Sequence, residues 1–301
     1  MTRPAPRSID QYLIQLRDAL KGEDPALIQD ALYDAEEYLR AEVAQHPGKS
    51  EADVLELIAS TYGAPEEVAE AYRTTEKTVR EALQPLKPAP RKTALGRFFG
   101  VYLDSRAWMA LFFMILSLGT GIFYFTVAVT GLSLSAGLAV LIVGIPFFLL
   151  FIGLTRVLSL VEGRLIEGLL GVRMPRRPLR STQGLSLGSR IREMLLDRRT
   201  WTTLLYMVLM LPLGIVYFTF AVVVLALGVG GVFAPFAGLL QIFGLESAGV
   251  QIDGLMLPWQ ATIPFAIVGL ILLTALMHCA RLVGQLHGKL ARELLLSRDG
   301  E

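Results

Sequence analysis

Three groups of residues in this chain have types and spacings that could do chemistry. Asp34, Glu36 and Glu37 bring three carboxylates within four positions, enough for a metal site or an acid–base pair. Glu36 and Glu37 are adjacent, however, and neighbouring helical positions do not share a face. A solvated helix face explains them with fewer assumptions, and docking of a partner lies between the two readings. His278 and His287 are a second group, but the chain has one cysteine, Cys279, and a tetrahedral zinc set is not assembled. His278 reads as a polar contact between helices. The third group is Asp-x-Arg-x-Trp, which occurs twice, as Asp104, Arg106, Trp108 and as Asp197, Arg199, Trp201. An aromatic anchor beside an arginine that can meet lipid phosphate suits a membrane surface, and an Asp–Arg switch there is the alternative. No Walker-type phosphate loop, nucleophile elbow or H-E-x-x-H run occurs. No enzyme activity, cofactor or metal is therefore expected.

The elements that must position these groups are set by charge. Of 301 residues, 53% are hydrophobic and 18% charged, too apolar for an ordinary soluble chain of this length. No charge appears between Arg106 and Arg156, between Arg199 and Glu246, or between Asp253 and Arg281. A helix needs roughly 20 apolar residues to cross a bilayer, so these gaps predict four spans, at about 108–130, 136–155, 201–228 and 262–280. Residues 1–86 hold 9 Lys+Arg against 17 Asp+Glu, a net −8, and residues 87–301 hold 19 against 10, a net +9. An acidic soluble head (1–83) precedes a short proline-rich linker (84–94) and a basic membrane domain (95–301). The N-terminus has no apolar signal region, and one cysteine allows no intrachain disulfide.

In the head, Ser8 predicts a helix N-cap, with Tyr12, Leu13, Leu16 and Leu20 as its apolar stripe. Asp24-Pro25 restarts a helix, with Pro in its first turn. Its inner face is Ile28, Leu32, Ala35, Leu39 and Val43, and Asp30, Asp34, Glu36, Glu37 and Glu42 are expected mostly outside. Ser50-Glu51-Ala52-Asp53 has the form of a capping box. Gly63 ends the third helix and Pro65 opens a fourth, giving a small all-α bundle. This segment resembles the HAAS domain, a helical module found with sensor domains in bacterial membrane proteins. The likeness rests on Tyr12-Leu13, Asp34-x-Glu36-Glu37-x-Leu39, Gly48-x-Ser50-Glu51 and Tyr62-Gly63-x-Pro65-Glu66-Glu67-Val68-Ala69. It implies signalling, with a PadR-like regulator as cytoplasmic partner, and no catalysis.

The membrane domain repeats itself. At an offset of 93, Asp104–Val129 matches Asp197–Val222 with 14 identities in 26 positions. At an offset of 125, Arg156 meets Arg281 and Gly163-Arg164-Leu165 meets Gly288-Lys289-Leu290. The change of offset leaves 32 extra residues between the spans of the second copy. Residues 156–199 hold ten arginines, whereas loops 131–135 and 229–261 hold no Lys or Arg. The positive-inside rule then puts both termini in the cytoplasm of a bacterial inner membrane. Both hairpins enter the same way, as a parallel repeat about an axis along the membrane normal. Each is preceded by a basic, apolar segment, 95–104 or 188–197, suited to lie in the headgroup layer. The second helices are expected to extend past the bilayer as Val157–Leu170 and Leu282–Leu296. No acidic residue is expected in the apolar centre of a span.

The outer loop 229–261 is where the copies differ. Phe236, Phe243, Glu246, Asp253 and Trp259 are candidates for a lid over a small-molecule or lipid pocket; a helix resting in the interface is the alternative. Tyr124 and Tyr217 are expected near the outer ends of spans one and three, either facing each other at the axis or anchoring at the interface. This half resembles the sensor domain found N-terminal to some bacterial histidine kinases. That likeness is carried by Asp197-x-Arg199-Thr200-Trp201, Pro212-x-Gly214-Ile215 and Arg156…Glu162-Gly163-Arg164-Leu165. Gly119 stands in the first copy where Pro212 stands in the second, so a kink is expected in one hairpin only. The fold expected is all-α: a helical head, and four transmembrane helices in two parallel-repeat hairpins with interfacial helices. The function expected is a non-enzymatic membrane signalling protein, its head docking on the arginine-rich 156–199 face. A transport component or permease subunit and a membrane scaffold are the alternatives. The expected partners are the bilayer, a cytoplasmic protein and a second copy of the chain, with no direct nucleic-acid binding.

Overall fold

The computed structural model describes residues 5–83, 93–139, 141, 143–175, 196–242, 251–252 and 255–296. The head is four helices: α1 (Ile9–Ala19), α2 (Pro25–Gln45), α3 (Glu51–Tyr62) and α4 (Pro65–Leu83). Local chemistry sets their ends. The Ser8 hydroxyl accepts from the Gln11 amide, and the Asp24 carboxylate accepts from the Ala26 amide just ahead of Pro25. Gly63 closes α3 at φ +97°, a left-handed conformation that glycine adopts without penalty. The core joins Tyr12, Leu16, Ala35, Leu39, Ile58 and Ala69. The Tyr12 hydroxyl ties α1 to the Gly63 carbonyl at 2.9 Å.

Ser50 and Asp53 cap α3 reciprocally: the Ser50 hydroxyl donates to Asp53 Oδ2 at 2.7 Å and accepts from the Asp53 amide at 3.2 Å. These bonds from the Ser50 hydroxyl and amide hold the Asp53 carboxyl below its usual range. A depressed carboxylate adds stability above its unfolded value of about 3.9 and loses it as pH falls through the folded value. Asp53→Asn should therefore weaken α3 at neutral pH and lessen its acid sensitivity below about pH 4, followed by circular dichroism of the full chain. An unchanged acid transition would remove this role.

After the head come α5 (Ala94–Phe98), a 3-10 turn (Phe99–Leu103), α6 (Ser105–Leu138) and α7 (Gly144–Leu170). Then follow α8 (Arg198–Ile242), the two-residue strands β1 (Gln251–Ile252) and β2 (Leu255–Met256), a 3-10 turn (Trp259–Thr262) and α9 (Ile263–Leu295). Four of these helices are long and apolar enough to cross a membrane. Their outward faces carry Phe112, Leu150, Val216 and Phe236, each more than half exposed. Contiguous apolar surface of this kind belongs against lipid tails. The protein is all-α with a transmembrane helical domain; the β1–β2 ladder, paired Gln251 to Met256, is a two-residue detail.

Several boundaries differ from the hydropathy reading. The first helix continues to Leu138 and the second starts at Gly144, so the turn is at 139–143 and not 131–135. The third runs on to Ile242, unbroken through Pro212 and Pro235. Residues 229–242 were expected in the outer loop, yet glycine and proline are tolerated in membrane helices where a neighbour packs closely and resatisfies the backbone. Gly231 is such a contact: a side chain there would meet the Phe265 carbonyl of α9. The lead-in segment 95–104 is not one helix but α5 and a 3-10 turn. It is tied to α9 by the Tyr102 hydroxyl to Thr274, 3.0 Å, and by His278 Nε2 to the Phe98 carbonyl, 3.0 Å. The linker 84–92 and most of segment 188–197 lie outside the described residues.

The two hairpins meet where α6 crosses α8. A Cβ on Gly121 would come within 2.4 Å of the Met210 carbonyl oxygen, and one on Gly214 within 2.3 Å of that of Ser117. These contacts exchange under the offset of 93, which is the reciprocity of a two-fold contact. Lipid supplies no hydrophobic drive between helices, so close approach at small residues does the holding. The ends of the bundle nearest the head repeat the pattern. Arg281 pairs with Asp104 at 3.4 Å, and Arg156 with Asp197 at 3.7 Å, each arginine reaching the other hairpin.

Candidate functional site

The head and the bundle meet at Arg173, in a short strap, Gly171–Pro175, that leaves α7 through Gly171 at φ +68°. The Arg173 side chain is 12% exposed and pairs with Asp30 (8%) at 3.3 Å and with Glu76 (16%). Arg199 Nη1 donates to the Gln29 side chain at 3.0 Å, and Arg292 pairs with Asp24 at 2.9 Å. Three basic side chains of the bundle thus grip α2 and α4. A cleft of about 420 Å³ beside this contact is lined by Asp30, Asp34, Tyr72, Glu76, Arg164 and Arg173.

The second feature is a buried polar chain between the hairpins. Glu162 and His287 are each 1% exposed. The Glu162 carboxylate is within 2.9 Å of the Tyr124 hydroxyl and 2.7 Å of the Tyr206 hydroxyl. The Tyr206 hydroxyl also lies 3.1 Å from His287 Nε2. The rings of Phe113 and Tyr217 pack on the His287 imidazole at 4.8 and 5.7 Å. Glu162 was expected in a protruding extension; it is instead inside the bundle. A buried carboxylate is tolerated only when hydrogen-bonded, and its donors come from α6 and α8, far away in sequence.

The candidate residues scatter otherwise. Asp104 and Asp197 each accept from the backbone amide two residues on, at 3.1 and 3.0 Å, and pair with arginines of the opposite hairpin, not with Arg106 or Arg199. Trp108 and Trp201 are half exposed, and the Trp108 indole donates to the Tyr102 carbonyl at 2.9 Å. Tyr124 and Tyr217 each reach the second helix of their own hairpin, and Tyr124 is buried well short of the C-terminal end of α6 at Leu138. Phe236 is an open position on α8, and the Trp259 backbone packs where a Gly238 side chain would sit. Phe243, Glu246 and Asp253 lie outside the described residues. In the head, Glu37 is exposed, but Asp30 and Glu36 are buried, against expectation. Arg173 neutralises the first and Arg40, 2.8 Å away, the second. Asp34 accepts from the Tyr72 hydroxyl at 2.9 Å, and burial, with Asp34 adding to it, holds that phenol well above its usual range. Burial likewise pushes Tyr62 up to about 12. Among the described residues, no three His, Cys, Asp or Glu gather as a metal site.

The sequence reading weighed His287 only as a zinc ligand beside His278, and gave Glu162, Tyr206 and Arg173 no role in a site. The offset of 125 could have drawn attention to Glu162 and His287, because it aligns the two: an acid set against an imidazole in otherwise matching columns. Replacing Tyr206 by Phe leaves Glu162 and His287 without their shared partner. Glu162 keeps the Tyr124 hydroxyl, but the buried His287 Nε2 loses its bond, and a buried group so stranded costs roughly 1–3 kcal/mol. The variant should melt below the parent in detergent, although Phe is what the first copy carries at the matching position, Phe113. Equal melting would mean that the bridge adds nothing to stability.

A bundle of four membrane-crossing helices, joined to a helical head through paired charges, defines a multi-pass membrane protein. Residues 113–295 match the family model described as "putative sensor", and the chain belongs to this Sensor family. No curated protein and no solved structure matches it.

Proposed function

We propose that this is a non-enzymatic sensor of the bacterial cytoplasmic membrane. The bundle takes an envelope or lipid signal, and the acidic head carries it to a protein in the cytoplasm. The observation that carries this reading is Arg173 held between Asp30 and Glu76. A contact made mainly of charge, at the junction of two folding units, can open at modest cost, whereas a large apolar interface cannot. Both ends of the chain sit on the cytoplasmic side in this reading, following the arginine-rich stretch 156–199. Release of the head would leave Asp30 and Glu76 open to a basic surface of a partner. A groove of about 790 Å³ on the same head, lined by Asp34, Glu37, Tyr38, Tyr62, Glu67 and Tyr72, would extend that surface. The head's resemblance to HAAS domains makes a PadR-like regulator the first partner to try.

The test is a distance measurement on the full chain in nanodiscs. Spin labels placed by Glu37→Cys and Lys289→Cys, with Cys279→Ser to remove the native thiol, report whether the head is docked. A single short distance distribution that lengthens when salt is raised supports a releasable head. One distribution at every salt concentration and in every lipid would rule release out.

A further inference from the structure

Glu162 and His287 occupy the same position in the two copies, and so do Phe113 and Tyr206, and Tyr124 and Tyr217. Where the first copy has Phe113, the second brings a hydroxyl, Tyr206, to the point where both Glu162 and His287 can reach it. That hydroxyl has one proton to give. When it donates to Glu162, His287 must supply Nε2–H; when it donates to Nε2, Glu162 must hold a proton. His287 Nδ1 is buried with no hydrogen-bond partner among the described residues.

We propose that Glu162, Tyr206 and His287 form one proton-binding site shared by the two hairpins, and that its occupancy regulates docking of the head. The regulation rests on the docking reading above; the site itself does not. The empty site has an ionised Glu162, a neutral His287 carrying Nε2–H, and net charge −1. A proton added at Nδ1 lets Nε2–H pass to the Tyr206 oxygen while the Tyr206 proton passes to Glu162. The filled site is then a neutral acid, a phenol and a neutral imidazole, with the one added proton accounted for. Among the described residues, the other titratable groups touching the pair are Tyr124, on Glu162, and Tyr217, on the His287 ring. Arg173, in the neighbouring strap, is turned to Asp30 and Glu76.

The strap supplies the link to the head. Met174 lies on Gly163 and Val172 on Gly288: a Cβ at Gly163 would meet Met174 Cβ at 3.3 Å, and one at Gly288 would meet Val172 Cγ2 at 2.5 Å. These glycines directly follow Glu162 and His287 and are themselves equivalent in the two copies. Arg173 sits between the two contacts. Any shift of α7 against α9 therefore moves the residue that holds the head. An ionised carboxylate without a countercharge is costly in an apolar bundle, so the close-packed, docked arrangement favours the filled site. By linkage, docking strengthens as pH falls and weakens as pH rises.

The full chain in nanodiscs should be followed from about pH 5 to about pH 8, the range that histidine spans. Infrared difference spectra read the protonated-carboxyl band, and the spin-label pair reads docking. In the parent, the band should grow as pH falls and the docked-to-free ratio should rise about threefold or more. Glu162→Gln should lack the band and dock equally at every pH. Tyr206→Phe should keep the band but titrate at a different midpoint, because His287 is disconnected. If Glu162→Gln shows the parent's band, the site is overturned. If the band titrates while docking stays flat, the regulation is overturned and docking itself stands. If the parent never docks at any pH, the docking reading fails, and the regulation with it.

Discussion

Arg173→Ala should free the head. The substitution takes the Arg173 guanidinium away from Asp30 and Glu76, both largely buried. Removing one partner of a buried pair costs roughly 3–5 kcal/mol. Even the lower figure is about a hundredfold in the docked-to-free ratio, which the spin-label distances or hydrogen exchange along α2 and α4 would register. Arg173→Lys should fall between, because an ammonium offers one point of charge where the guanidinium reaches both acids. Arg292→Ala provides the contrast. Its side chain is 38% exposed, and a pair of that kind contributes about 0–1 kcal/mol. Equal docking in Arg173→Ala and the parent would show that the head is held by something other than this arginine.

Gly121→Ala and Gly214→Ala should each loosen the bundle, and by similar amounts. In both cases the new methyl is driven into a backbone carbonyl, of Met210 or of Ser117, and backbone cannot rotate aside as a side chain can. Overpacking of this kind costs about 1–3 kcal/mol. The matched contacts make the two sites one structural feature, so the double variant should lose less than the sum of the singles. Thermal unfolding in detergent measures all three. Singles that melt with the parent would mean that α6 and α8 are not held at this approach. A large effect at one site and none at the other would contradict the reciprocity of the crossing.

The features legible in the sequence share one property: their causes are local. Each bilayer crossing is announced by its own charge-free run, because insertion responds to the composition of some twenty neighbouring residues. Ser8, Asp24 and Ser50 bond to amides two or three residues away, and Gly63 needs only its own backbone angle. The duplication was also readable, since matched Asp, Arg, Trp and Tyr at fixed spacing show in the letters themselves. What escaped was whatever depends on a partner far along the chain. Asp30 and Glu36 looked like solvated acids on a helix face until Arg173 and Arg40 were placed against them. Glu162 looked like part of a polar extension because Tyr124 and Tyr206, 38 and 44 residues away, are what make its burial tolerable. Residues 229–242 read as loop because no local pattern shows that Gly228 and Gly231 pack against α9, where α8 continues to Ile242. The sequence by itself determined four crossings, a separate acidic head and a doubled hairpin. Only the tertiary structure decided that the copies meet through a carboxylate, a phenol and an imidazole, and that a strap beside them holds the head. Those contacts join residues from different helices, and no local pattern encodes which helices will be neighbours.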